Sequence, residues 1–278
     1  MHLLEKFSIR LRHTYFGERA SWLWCVLRPI YNLAVKTSAK SGLERIINGT
    51  DPLRVAPEFR QITEVYEPDV WAHVMSAVTP GSMVVDVGAY VGLYTIALAQ
   101  RTGRTGRVYS FEPDPRNCAV LRKHVELNNV SDRVVVHQLA IGDKDGFVPF
   151  TAGRDSQSVV GANSSTPETV GMAKLDTILA SDRLDVLKVD VEGFEENVLR
   201  GAEVLLSDNN RKPRTIFIEV HPYNWHLCGT TSDSLINSLT KNRYDVLDLK
   251  NQRVSKIDWY GEIIAIDRNA PRSAGAGT

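Results

Sequence analysis

Four short stretches of the chain carry residues whose types and spacing suit chemistry. At residues 84–92, VVDVGAYVG, an apolar run delivers Asp86 into a turn with glycines at 88 and 92 and Tyr90 between them. Glu112 follows twenty residues after Gly92, in YSFEP. Further on, KVDVEGFEE sets Asp190 and Glu192 two apart, and IEVHP sets Glu219 and His221 two apart. Pairs spaced by two share one face of a strand. Carboxylates can hold hydroxyls or cations, and an imidazole with its ordinary pKa of about 6.5 can move a proton near neutrality.

The first stretch restricts the ligand. A dinucleotide turn needs G-x-G-x-x-G so that the backbone can approach a pyrophosphate, but the second and third positions counted from Gly88 are Tyr90 and Leu93. No G-K-[ST] follows, so a P-loop is excluded as well. A ligand without phosphates tolerates a side chain here. Glu112, at the end of the next strand, is placed to accept hydrogen bonds from ribose hydroxyls. Ribose without pyrophosphate points to S-adenosylmethionine (AdoMet), with Asp86 serving its cationic amino-acid end directly or through water. Asp86, Gly88, Tyr90, Gly92 and Glu112 are therefore the expected cofactor residues.

The surrounding pattern supplies the elements that position them. MVVDVG, RVYSFEP, RVVVHQLAI, DVLKVDVEG and TIFIEVHP read as buried strands, alternating with helices at LYTIALAQRT, PRNCAVLRKHVELNN, EENVLRGAEVLLS and SDSLINSLTKN. Such alternation predicts an α/β fold with a largely parallel sheet covered on both faces. YDVLDL and EIIAID follow without a helix between them, so an antiparallel end is expected. Residues 151–170 form a Ser/Gly/Thr-rich insertion that reads as a lid or a surface loop, with Ser156 and Ser158 as minor acceptor contacts.

Residues 1 to about 55 read as helical segments divided at Pro29, and NGTDP at 48–52 as a turn and boundary. The expected division is a helical extension over 1–60, a catalytic domain over 61–269 and a disordered tail over 270–278. The first 55 residues carry nine basic and four acidic residues, with Trp22 and Trp24. Their expected use is packing on the catalytic domain or on a second subunit as a homo-oligomer contact, with a membrane surface as the weaker alternative.

No window reaches the roughly 18 uncharged apolar residues of a transmembrane span, and no cleaved secretory signal is visible. The 278 residues are 43% hydrophobic and 24% charged, with a formal net charge of zero, which gives no electrostatic argument for nucleic acid as partner. Cys25, Cys118 and Cys228 lie far apart without a CxxC pair, which suits a reducing cytoplasm.

With these residues in view, the chain resembles the FkbM family of AdoMet-dependent methyltransferases. The matching stretches are VVDVGAYVGLYT (84–95), FEPDPRN (111–117), LDTI (175–178), LKVDVEGFEENVLRGA (187–202) and IEVHP (218–222). The resemblance covers roughly residues 62–268 and implies the Rossmann-like class I methyltransferase fold, with seven strands, one of them antiparallel. It implies methylation of hydroxyls on sugars, glycans or polyketide-type metabolites, and cofactor roles for Asp86, Gly88, Gly92 and Glu112. Tyr90 departs from the small or amide residue that the family often carries there.

The last two of these stretches, KVDVEGFEE and IEVHP, supply the acceptor side. A sugar hydroxyl is a poor nucleophile and gains from a base that removes its proton as the new bond forms. His221 is the expected base, oriented or replaced by Asp190, with Asp190 and Glu192 holding acceptor hydroxyls. Lys188 and Glu219 read equally well as a buried ion pair between strands, and Glu192 as a helix cap. A divalent ion such as Mg²⁺ on these carboxylates is the less favoured alternative, and no metal ligands are assigned. The expected function is an O-methyltransferase acting on a hydroxylated small molecule or saccharide. Its rivals are an N-methyltransferase acting on an amine, for which the acids would suit the cation, and a non-catalytic AdoMet-binding module.

Overall fold

The apolar runs around the opening turn assemble side by side into one seven-stranded sheet. In this computed structural model the described residues are 41–151, 159–160 and 168–270. Among them, β1 (Leu43–Ile47) and β2 (Asp51–Val55) precede α1 (Pro68–Ser76), β3 (Met83–Val87), α2 (Leu93–Thr102), β4 (Arg107–Phe111) and α3 (Pro115–Leu127). Short strands β5 (Val134–His137), β6 (Ala140–Ile141), β7 (Gly146–Thr151), β8 (Val159–Val160) and β9 (Glu168–Ala173) lead to α4 (Leu175–Ile178). The chain continues through β10 (Val186–Asp190), α5 (Glu195–Arg200), α6 (Glu203–Ser207), β11 (Thr215–Val220), α7 (Ser232–Thr240), β12 (Tyr244–Asp248) and β13 (Gly261–Asp267).

The large sheet runs β12-β13-β11-β10-β3-β4-β5, and β13 pairs antiparallel with both of its neighbours. Strands β3, β4, β5, β10 and β11 are parallel. The fold is thus the class I methyltransferase sandwich expected from the sequence, with one antiparallel strand. Strand order reverses between β3 and β10, the place where a doubly wound sheet leaves a crevice at its carboxyl edge. Val84, Val186, Phe217 and Ile264 face one layer, with Trp71 of α1 and Ile96 of α2. Val85, Leu187, Ile216 and Ala265 face the other, with Val198, Leu205 and Leu235 from α5, α6 and α7. Burial on both sides explains why these strands read as continuous apolar runs.

Two expectations are corrected. Residues 43–55 are not helical: LERII and DPLRV alternate buried and exposed at period two and form an antiparallel hairpin. Asn48 and Gly49 take φ of 50° and 75°, the left-handed backbone that an Asn-Gly hairpin loop uses. NGTDP is therefore a hairpin loop and not a boundary. Leu43, Ile47, Leu53 and Val55 pack into the same core as Trp71 and Val74.

The stretch read as one strand at RVVVHQLAI also divides, and its second part starts a separate sheet of order β6-β9-β7-β8. That sheet occupies part of the expected polar insertion, and its Val148, Phe150, Val170 and Met172 pack on Phe194. The expectations for residues 1–40, for Ser156 and Ser158, and for the tail from 271 lie outside the described residues. Among the described residues no helix is long and apolar enough to cross a membrane.

Candidate active site

The carboxyl ends of β3, β4, β10 and β11 open into a cleft. Of the eight residues expected in the site, six line it: Gly88, Tyr90, Glu112, Asp190, Glu192 and His221. Tyr66, Glu67, Phe194, Glu219 and Tyr260 complete much of the wall. Asp86 and Gly92 stand behind it.

The turn after β3 is pinned to its neighbours. Gly88 and Ala89 donate their N–H groups to the Phe111 carbonyl at 2.9 and 3.0 Å. Gly88 has φ of 82°, and a Cβ there would lie 1.8 Å from the Asp190 carbonyl oxygen. Only glycine lets the two strand ends approach this closely. Gly92, at φ 88°, ends the turn beneath Leu121, whose Cδ1 would meet an added Cβ at 2.1 Å. Tyr90 occupies the left-handed region at φ 49°, which is uncommon for a bulky residue and recurs at functional turns.

Glu112 is what holds that turn. Its Oε2 accepts the Tyr90 N–H at 2.9 Å, and its Oε1 accepts the Asp114 N–H at 2.9 Å and the Asn117 side-chain amide at 3.4 Å. A carboxylate has about four acceptor sites, so it retains capacity for a ligand hydroxyl. Burial pushes its pKa up to about 7, against the three donors that pull it down.

Asp86 is 0% exposed. Its Oδ2 accepts from the Thr95 hydroxyl at 2.7 Å, and its Oδ1 has no hydrogen-bond partner among the described residues. Burial raises its pKa, with Lys188 and Thr95 pulling the other way. Direct contact with a ligand's cationic end is not what this placement offers, because the strand register sets Asp86 beside Lys188 beneath the turn. A cradle shut to any side chain at Gly88 and a carboxylate with acceptor capacity left at the end of the adjoining strand fit a nucleoside, and the absence of a second turn glycine fits one without pyrophosphate.

On the acceptor side, Lys188 pairs with Asp190 of its own strand at 3.0 Å, not with Glu219 across strands. Burial works against the Lys188 ammonium, but Asp190, Asp86, Glu262 and Glu67 outweigh it and hold its pKa above the ordinary value. Asp190 therefore does not orient His221. The carboxylate that touches the imidazole is Glu195, at 2.8 Å from Nδ1. The other ring nitrogen, Nε2, lies 3.7 Å from Glu192 Oε2 and 3.9 Å from Glu219 Oε1. Burial pulls the His221 pKa down, but Glu195, Glu192 and Asp190 more than offset it and leave it raised.

Glu192 accepts the Tyr223 hydroxyl at 2.8 Å instead of capping a helix, and Glu219 accepts a hydrogen bond from the Tyr260 hydroxyl. The Tyr223 and Tyr260 rings stand 5.8 and 5.3 Å from the His221 ring.

Glu195, Tyr223 and Tyr260 are the site residues that the sequence did not single out, and Glu219, read there as half of an ion pair, joins them at the cleft. Glu195 and Glu196 look like ordinary acids in the first turn of a helix. Tyr260 reaches the site only because β13 returns antiparallel beside β11. Asp190, Glu219 and His221 also present ligand atoms within 4.8 Å of one another, a set whose chemistry suits a divalent cation.

Residues 86–246, more than half of the chain, match the model of the methyltransferase FkbM domain. The chain is similar to Methyltransferase 1 of Beauveria bassiana, 29% identical over 148 residues that are 44% of this chain and 59% of that protein. It is similar also to the methyltransferase sdnD of Sordaria araneosa, 26% identical over 43% of this chain and 60% of that one. The chain thus spans about three-fifths of the length of these two relatives. Among solved structures it resembles a SAM-dependent O-methyltransferase from Thermotoga maritima, with a TM-score of 0.43 and 14% identity over 73% of this chain and 66% of that one. An O-methyltransferase from Bacillus cereus in complex with SAH gives a TM-score of 0.38 and 15% identity over 71% and 75%. The chain belongs to the FkbM family of S-adenosylmethionine-dependent methyltransferases.

Proposed function

We infer that the protein is an O-methyltransferase that carries the AdoMet methyl group to a hydroxyl of a small molecule such as a sugar, glycan unit or polyketide-type metabolite. The observation that carries this reading is the cleft itself. It sets the Gly88 turn and Glu112 in one cleft with Asp190 and a histidine whose Nε2 lies between Glu192 and Glu219. Bound AdoMet supplies an electrophilic methyl on a sulfonium with its own leaving group, so the protein's share of the work is placement and proton transfer.

Glu112 and the main chain at Gly88 and Tyr90 hold the nucleoside end. Asp190 and Glu192 accept hydrogen bonds from acceptor hydroxyls and orient one of them. His221 Nε2 takes the proton of that hydroxyl as the oxygen–carbon bond forms and the carbon–sulfur bond breaks, and then releases it to solvent. Among the described residues, no lysine or arginine lines the cleft. A nucleic-acid backbone would find no cationic partner in it. Cys118 and Cys228 are free thiols, in keeping with a cytoplasmic setting.

The test is a radiolabelled methyl-transfer screen across sugars, hydroxylated metabolites and amines. Label in hydroxyl acceptors is expected, and His221→Ala should lower turnover about 100-fold or more with AdoMet affinity unchanged. Label confined to amines would replace this reading with N-methylation. AdoMet binding without transfer to any acceptor would leave a binding module.

A second reading has a divalent ion on Asp190, Glu219 and His221, favoured by the convergence of their ligand atoms. In that case EDTA abolishes turnover and Mg²⁺ or Mn²⁺ restores it. Turnover indifferent to EDTA leaves His221 as the base.

A further inference from the structure

Glu195 is 0% exposed and does not itself line the cleft, yet four donors converge on it. Its Oε1 accepts the main-chain N–H of Gly193 at 3.1 Å, the main-chain N–H of His221 at 3.1 Å and His221 Nδ1 at 2.8 Å. Its Oε2 accepts the Trp225 indole N–H at 2.9 Å. The Trp225 bond stops the carboxylate from turning, and the two main-chain bonds fix its height against the end of β11. An oxygen that already accepts two N–H groups is an acceptor toward the third partner too, so Nδ1 is the protonated nitrogen of a neutral His221. The lone pair then lies on Nε2, which makes no hydrogen bond to the described residues and stands at the cleft between Glu192 and Glu219.

We propose that Glu195 is the positioning residue of the reaction, fixing the tautomer and ring orientation of His221 so that its basic nitrogen faces the acceptor. This rests on His221 acting as the base. The opposite tautomer would turn an N–H toward the acceptor hydroxyl and leave Nδ1 facing a carboxylate with no proton between them. A base locked by a buried carboxylate keeps its geometry without reorganising as charge develops on the ring.

The measurement that decides is made on the whole protein. In ¹⁵N-histidine spectra at a pH above its titration, His221 should show a protonated Nδ1 and a bare Nε2. In Glu195→Gln this preference should weaken, because a neutral amide oxygen is a poorer acceptor than a carboxylate and the amide's NH₂ is set against the Trp225 indole N–H. Turnover of Glu195→Gln should fall about 100-fold or more, with the acceptor KM and the AdoMet Kd within a few-fold of wild type. The rising limb of its kcat–pH profile should move to lower pH, since the charge that favours the imidazolium is gone. Trp225→Phe, which removes only the Oε2 donor, should keep both the tautomer and the limb.

A protonated Nε2 in the wild type would overturn the proposal, as would a Glu195→Gln enzyme with wild-type kcat and an unmoved limb. A wild type that methylates no hydroxyl would instead sink the functional reading, while the tautomer spectrum would still decide the role of Glu195.

Discussion

Glu112 illustrates how one side chain can serve both fold and ligand. Its three internal donors tie the turn to the segment between β4 and α3, and burial lifts its pKa to about 7. A ribose hydroxyl donates best to the ionised form, and below pH 7 the free protein holds Glu112 increasingly protonated. AdoMet affinity should therefore rise with pH through about 7 and weaken below it, with proton release on binding at pH 6. Calorimetry in two buffers of different ionisation enthalpy reads that proton. Glu112→Gln should cost about 10- to 150-fold in affinity, the usual range for losing a hydrogen bond to a charged group, and should flatten the pH dependence. An unchanged slope in this variant would assign the titration to another group, with Glu219, also lifted to about 7, the first candidate.

Individual elements meet through contacts that admit little variation. The turn after β3 and the end of β10 approach so closely at Gly88 that alanine there would strain the backbone and collide with the Asp190 carbonyl. Gly88→Ala should abolish AdoMet binding and destabilise the fold by more than about 2 kcal/mol, as read by urea unfolding. The hairpin makes the complementary point. Leu53 is 2% exposed and packs among the core residues of β3, α1 and α2. Leu53→Ala should cost about 2–5 kcal/mol, as in any core. A cost under 0.5 kcal/mol, the range of surface substitutions, would return the hairpin to the status of an appendage.

Across the whole molecule, a polar seam runs through an otherwise apolar layer. Strand register sets Asp86 beside Lys188, Asp190 beside Glu219 and Glu219 beside Glu262. Glu262 is 5% exposed with one carboxyl oxygen unpartnered among the described residues. Burial and the charges of Asp190 and Glu219 raise its pKa well above the ordinary value, against Lys188. A carboxyl raised in the folded state binds more protons there than in the unfolded chain, so its contribution to stability declines as pH rises above about 4.5. Glu112 and Glu219 act in the same direction between about 4.5 and 7. His124 and His137, lowered by burial, act in the opposite direction near 6.5. Glu262→Gln isolates the effect: it should be more stable than wild type at pH 8 and gain least at pH 5, measured by denaturant midpoints. Equal gains at both pH values would mean that Glu262 does not titrate in this range.

What the sequence determined by itself was whatever depends on local pattern. Uninterrupted Val/Ile/Leu runs alternating with helices could bury both faces only in a largely parallel sheet. The missing turn glycines excluded pyrophosphate, and the spacing from Gly92 to Glu112 placed a carboxylate at the next strand end. Residues two apart on a strand had to share a face, which brought Asp190 and His221 within reach of the cleft. Tertiary structure decided which partner each charge found. Lys188 turned to Asp190, and His221 to Glu195, a residue hidden among ordinary helix-start acids. Glu262, and Tyr260 just ahead of its strand, arrived with β13, which returns antiparallel some forty residues later. Hydrogen-bond partners in a buried site follow from which strand ends become neighbours, and that adjacency is a property of the assembled sheet.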